Sequence, residues 1–153
     1  MRPIGVAAVV GLVVILVTFF DSRSLIAYYD DPKYARDDYR ALAQFIQTRE
    51  EKGDAIVLNA PNQIEILDYY YRGVLARYPL PAQRPLDEAA TGDDLARLVA
   101  SHARLWLVEW AVRESDPQGF IDNWLGQRYR GTQVGQFGQV KLLLYQVAGS
   151  GPS

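Results

Sequence analysis

The chain has 153 residues, 49% of them hydrophobic, which suffices for one domain with a real core but not for two of ordinary size. A formal net charge of −2 supplies no basic field for nucleic acid. The absence of cysteine removes disulfide staples, thiolate metal sites and thiol catalysis, and it leaves the compartment open.

The first element is Ile4 to Phe20, 17 residues without a charge in which Thr18 is the only polar side chain. As a helix it spans roughly 25 Å, at the short end of what crosses a bilayer core of about 30 Å. The tyrosines of Leu25-Ile26-Ala27-Tyr28-Tyr29 would then sit at interfacial depth. A cleaved signal peptide and a buried core helix are the competing readings. Against the first stand the length of the run and the lack of a small-residue cleavage site after it. Against the second stands the difficulty of enclosing a helix that is apolar all round. One Arg before the segment and one close after it give no preferred orientation.

A helix follows, with Asp31-Pro32 as cap and first-turn proline, and with Tyr39, Leu42, Phe45 and Ile46 on one face. Gly53 is its expected stop. The acidic pairs Asp30-Asp31 and Asp37-Asp38 read as caps and dipole partners rather than as a metal or acid–base site. Ala55-Ile56-Val57-Leu58 is a buried strand by length and β-branching. It turns through Asn59-Ala60-Pro61-Asn62 into a helix marked by Ile64, Leu67 and Tyr71 and ending near Arg72-Gly73. Of the run Tyr69 to Tyr71, at least one of Tyr69 and Tyr70 must lie at an edge or on the surface, because neighbours on a helix point about 100° apart.

Val74 to Tyr78 reads as a second strand stopped by Pro79-Leu80-Pro81, and Ala82 to Ala90 as an irregular or briefly helical link. Thr91-Gly92-Asp93-Asp94 has the spacing of a capping box, and Leu95, Leu98, Val99 and His102 form the helical face behind it. Arg104 to Trp110 is the third strand. Asp116-Pro117 then opens a helix with Phe120, Ile121, Trp124 and Leu125 buried. Tyr129 to Val134 and Val140 to Val147, joined by Gly135-Gln136-Phe137-Gly138, read as an antiparallel hairpin whose second strand sits inside the sheet. Gly149 to Ser153 is a loose tail. The expected fold class is therefore α/β: an N-terminal transmembrane helix, then a three-layer Rossmann-like domain with a mainly parallel sheet and a C-terminal antiparallel hairpin. The expected divisions are residues 1–24, 25–148 and 149–153.

Chemistry is sparse. The single histidine, His102, has no clustered Cys or carboxylate with which to bind zinc or iron, and reads as a surface or half-buried helix residue. No G-x-S-x-G elbow, G-x-G-x-x-G or G-x-x-x-x-G-K-[ST] motif occurs, and Pro61 stands where a phosphate loop needs glycine. Catalytic residues, cofactor and metal are accordingly none. What remains is the crevice at the carboxyl ends of the strands, where open α/β sheets collect ligands. Asn59, Asn62 and Gln63, Tyr78, and Glu109 and Trp110 would meet there. Amides, a carboxylate and aromatic rings suit a neutral polyhydroxylated ligand, whereas the bland alternative makes Asn59 or Asn62 a helix cap and Trp110 a core residue.

Several segments resemble one family. Ala35 to Arg40, Gly53 to Gln63, Tyr69 to Gly73, Tyr78 to Pro81 and Arg104 to Trp110 are similar to the C-terminal part of bacterial membrane glycosyltransferases of the family 39 type, which use polyprenyl- or dolichyl-phosphate sugars. The resemblance implies that Ile4 to Phe20 is a last membrane helix in contact with the lipid bilayer. It further implies a single-pass cell-membrane location with the soluble domain on the extracytoplasmic side. The family's catalytic carboxylates lie in an early loop with no counterpart here. The implied function is thus an accessory domain, a fragment or split product of a transferase using lipid-linked sugars and not catalytic alone. Its implied partners are the multi-spanning portion or a glycan. The alternative is a stand-alone anchored binding or interaction module.

Overall fold

The computed structural model describes residues 37–147. Five strands form one sheet in the order β2-β1-β3-β5-β4, where β1 is Asp54–Leu58, β2 Ala76–Pro79, β3 Arg104–Glu109, β4 Arg130–Phe137 and β5 Val140–Gln146. β1 runs parallel to both β2 and β3, while β5 is antiparallel to β3 and to β4. The sheet is therefore mixed: three parallel strands and the expected C-terminal antiparallel hairpin. The hairpin inserts its second strand beside β3 instead of adding to the edge, as the continuous apolar run Val140 to Tyr145 requires.

The two faces are read directly from strand alternation. Ile56, Leu58, Trp106, Val108 and Leu142 face α1 (Tyr39–Gln47) and α2 (Ile64–Tyr70). Ala55, Val57, Leu105, Leu107 and Leu143 face α3 (Glu88–Ser101) and α5 (Phe120–Gly126). α4 is the single turn Val112–Ser115. Because both faces are covered, β1 is buried at every position, which is why it reads as an unbroken apolar run.

The fold class is corrected in one respect. The membrane helix expected over Ile4 to Phe20 lies outside the described residues, as do the cap at Asp31-Pro32 and the tail. Among the described residues no helix is long and apolar enough to cross a membrane. The longest, α3, has 14 residues, roughly 21 Å of rise, and two acidic residues in mid-helix. What is described is an α/β domain with a five-stranded mixed sheet.

Several local expectations shift. Asp38 caps α1 by accepting from Ala41 N, whereas α1 ends at Gln47, well before Gly53. α3 starts one turn before the expected capping box, with Asp87 accepting from Ala90 N, so Thr91 is buried inside the helix. β2 starts at Ala76, and Val74 is 92% exposed. Tyr69 is 68% exposed while Tyr71, which follows the last residue of α2 in extended conformation, is buried. β4 continues through the expected turn to Phe137 with an irregularity between Gln133 and Gly135, and the chain reverses at Gly138 (φ 67°).

At the amino end of the sheet lies a buried ion pair. Asp54 accepts from Arg104 Nε at 2.8 Å and Nη2 at 2.7 Å, from Trp106 Nε1 at 2.9 Å and from Glu51 N at 3.0 Å. Burial pushes the Asp54 carboxyl up, but these four donors and the guanidinium charge outweigh it, and the net direction is down. Replacing Asp54 by Asn is expected to cost about 3 kcal/mol in denaturant titration, since it leaves a guanidinium short of its partner. With the folded-state pKa depressed, the wild-type pair stabilises above the unfolded value of about 3.9 and is lost as pH falls through the folded value. The gap between wild type and Asp54→Asn should therefore close in acid.

Candidate functional site

At the opposite, carboxyl edge, β1 and β3 end side by side, with Leu58 opposite Val108. Asn59 extends the pairing through its N–H to Val108 O at 3.1 Å. Its Oδ1 then accepts from Trp110 N at 2.9 Å. A short amide side chain is suited to this position, where the chain leaves the sheet for the 3₁₀ turn Pro61–Gln63 and the backbone no longer supplies an acceptor. Trp110 in turn donates from Nε1 to Asp37 Oδ2 at 2.6 Å, and Asp37 Oδ1 accepts from Gln139 N at 2.9 Å. One carboxylate thus ties the start of the domain to the end of β3 and to the β4–β5 turn.

Glu109 lies beside this clamp. It is 6% exposed and pairs in register with Lys141 of β5, Nζ to Oε2 at 2.6 Å. Burial raises its carboxyl, the Lys141 hydrogen bond and charge oppose this, and the nearby Asp122 and Asp116 carboxylates add to the rise. Burial presses the Lys141 ammonium the other way, but Glu109 and Asp122 hold it above its ordinary value. Asp122 is itself hydrogen-bonded by the Tyr145 hydroxyl, whose pKa is raised by burial and by that acceptor.

The six residues named from sequence do not form one crevice. Asn59, Glu109 and Trp110 are brought together at the ends of β1 and β3. Gln63 is 2% exposed, and neither of its amide atoms has a hydrogen-bond partner; Asn59 Nδ2 is likewise unpaired. Asn62 is exposed on the turn. Tyr78 belongs elsewhere: it packs on the α3 and α5 face, edge-on to His102 at 5.5 Å, whereas Trp110 packs on the α1 and α2 face. Tyr78 and Trp110 are therefore separated by the sheet. His102 is half-buried just past the end of α3, with Nδ1 2.9 Å from Leu98 O, in keeping with a structural histidine. Among the described residues no group of three His, Asp or Glu could hold a metal ion.

Sequence reasoning takes Asp37 for a helix cap or dipole partner, whereas it accepts from Trp110 and Gln139, and it does not single out Lys141. Asp37 and Trp110 are 73 positions apart, beyond any local pattern. Lys141 carried a signal, a charge inside an otherwise apolar strand. Asp116 was read as a cap, and so it serves: its carboxylate accepts from Phe120 N at 2.6 Å and Ile121 N at 2.8 Å, one turn ahead of the helix it opens. Comparison with protein-family models, curated proteins and solved structures returns no match.

Two substitutions separate the clamp from its surroundings. Asn59→Ala leaves the Trp110 N–H without its acceptor and is expected to cost about 1–3 kcal/mol by denaturant titration. Lys141→Met strands the Glu109 carboxylate. Its cost at neutral pH is expected to be on the order of 2 kcal/mol, because Lys141 is a third exposed and water screens the pair. That cost should shrink as pH is lowered and Glu109 takes up a proton.

Proposed function

We propose that the domain is a non-catalytic accessory module of a glycosyltransferase that uses lipid-linked sugars, acting on the extracytoplasmic side to hold glycan. The segments that carry the family resemblance supply β1, the following turn and β3, the structural centre of the domain. The observation that carries the reading is the Asn59–Trp110–Asp37 clamp. It fixes a half-buried indole at the carboxyl edge of the sheet, one short turn from the exposed amide of Asn62. A flat aromatic face and a free amide are what a hydroxyl-bearing ring recognises: the ring's C–H face stacks on the indole, and its hydroxyls exchange hydrogen bonds with the amide. Binding of this kind needs no nucleophile or general base, and none is assigned.

A second reading, an independent interaction module, is favoured by the exposed apolar side chains Ile66 (42%), Tyr69 (68%) and Val74 (92%) on and after α2.

The accessory reading predicts that the full chain alone transfers no sugar from a polyprenyl-phosphate donor. It also predicts that the chain binds a neutral oligosaccharide in calorimetric titration. Asn62→Ala should weaken that binding severalfold while changing stability by less than about 0.5 kcal/mol, as expected for an exposed side chain. Turnover by the chain alone, or full affinity in Asn62→Ala, would sink the reading.

A further inference from the structure

Beyond β3 the chain makes a loop bounded by two left-handed residues, Ala111 (φ 43°, ψ 42°) and Gly119 (φ 64°). Gly119 adopts this conformation at no steric cost, whereas Ala111 is a side-chain-bearing residue held in a strained region, of order 1 kcal/mol or more, immediately after the carboxyl end of a central strand. Between them lies Ser115, 2% exposed, whose Oγ has no hydrogen-bond partner. A hydroxyl buried in this way costs about 1–3 kcal/mol, and nothing in the surrounding fold offsets it.

Ser115 lines a cleft of about 250 Å³ together with Arg84, Glu88, Glu114, Pro117 and Phe120. The cleft is on the α3 and α5 face and is lined by neither Asn59 nor Trp110, so it is independent of the glycan reading. Its charge is lopsided. Glu88, Glu114 and the Asp116 carboxylate stand against the single guanidinium of Arg84, while Glu109, close enough to Asp116 to interact electrostatically, is balanced by its ion pair with Lys141. An anion is repelled from such a site, and a cation is drawn to it. A bare metal ion is not served, since among the described residues no three His, Asp or Glu are placed so that they could hold one. The walls, by contrast, are partly hydrocarbon, with a proline ring and an aromatic ring that can take a cation against its face.

We infer that this cleft binds a small organic ammonium, its N–H groups donating to Ser115 Oγ and to the Glu114 carboxylate while its carbon body lies against Pro117 and Phe120. The orphaned hydroxyl thereby gains its partner, and the strained loop is the frame that presents it.

The probe is n-butylammonium, with n-butanol and butyrate as controls of similar size and different charge, titrated into the isotope-labelled full chain and read from backbone amide shifts. Saturable shifts confined to residues 114–120 are expected with butylammonium. Butanol should bind at least fivefold more weakly, and butyrate should give no saturable shift. Ser115→Ala should weaken butylammonium at least fivefold without lowering the melting temperature, because it removes a buried hydroxyl that has no partner. Glu114→Gln, at an exposed position, should weaken it at least threefold with stability unchanged, which keeps the test valid if the buried substitution disturbs folding. Equal binding of butanol, saturable shifts elsewhere only, or unchanged affinity in Glu114→Gln would each overturn the inference.

Discussion

The structure depends on one buried carboxylate. Asp54 opens β1 and gathers the guanidinium of Arg104, the indole N–H of Trp106 and the backbone N–H of Glu51. Two of those donors belong to β3, so a single side chain sets how the first and third strands meet at their amino ends. The same guanidinium reaches Glu51 Oε1 at 2.7 Å and Arg49 O at 3.0 Å, which binds the loop after α1 to the sheet. A buried charge left unpaired is far more costly than one fully paired, so the arrangement tolerates little variation in register. The ladder between β1 and β3 then runs from Asp54 opposite Arg104 to Leu58 opposite Val108.

At the far end of the same two strands the ladder is closed by an uncharged device. Asn59 donates its N–H to Val108 O and then offers a side-chain oxygen to Trp110 N where β1 has ended, and Trp110 is held by it and by Asp37. Polar groups at the carboxyl edge of an α/β sheet serve two demands at once: closing the backbone and offering contacts to a ligand. Here Asn59 closes the backbone at Trp110, Glu109 is held by Lys141, and Asn62 is the amide left facing solvent. The loop after β3 differs. It carries a strained alanine and a hydroxyl with no partner, the signs of a segment shaped for something besides stability.

The strands were legible where both faces are covered. Ile56 and Leu58 serve one layer and Val57 and Ala55 the other, so burial on both sides leaves an apolar run that no helix of this length explains. The position of β5 inside the sheet followed from the same logic. Helix starts were less legible, because several residues could cap. Asp87 wins over Thr91 in α3, since starting earlier turns Thr91, Leu95 and Leu98 onto one buried stripe. Strand order places Asn59, Glu109 and Trp110 at neighbouring strand ends, whereas Tyr78 faces the other layer from Trp110, because a strand's alternate residues face opposite layers.

The sequence by itself determined the element types, the two-sided covering of the sheet, the hairpin at the end and the lack of phosphate-loop glycines or thiols. These are properties of short windows, where hydrophobic period and backbone chemistry act locally. Only the tertiary structure decided the strand order and that Asp54 answers Arg104 and Trp106. It alone brought Asp37 across 73 residues to Trp110 and left the Ser115 hydroxyl without a partner. Those outcomes depend on which long-range neighbours are close enough to exchange hydrogen bonds, and no local pattern encodes that distance.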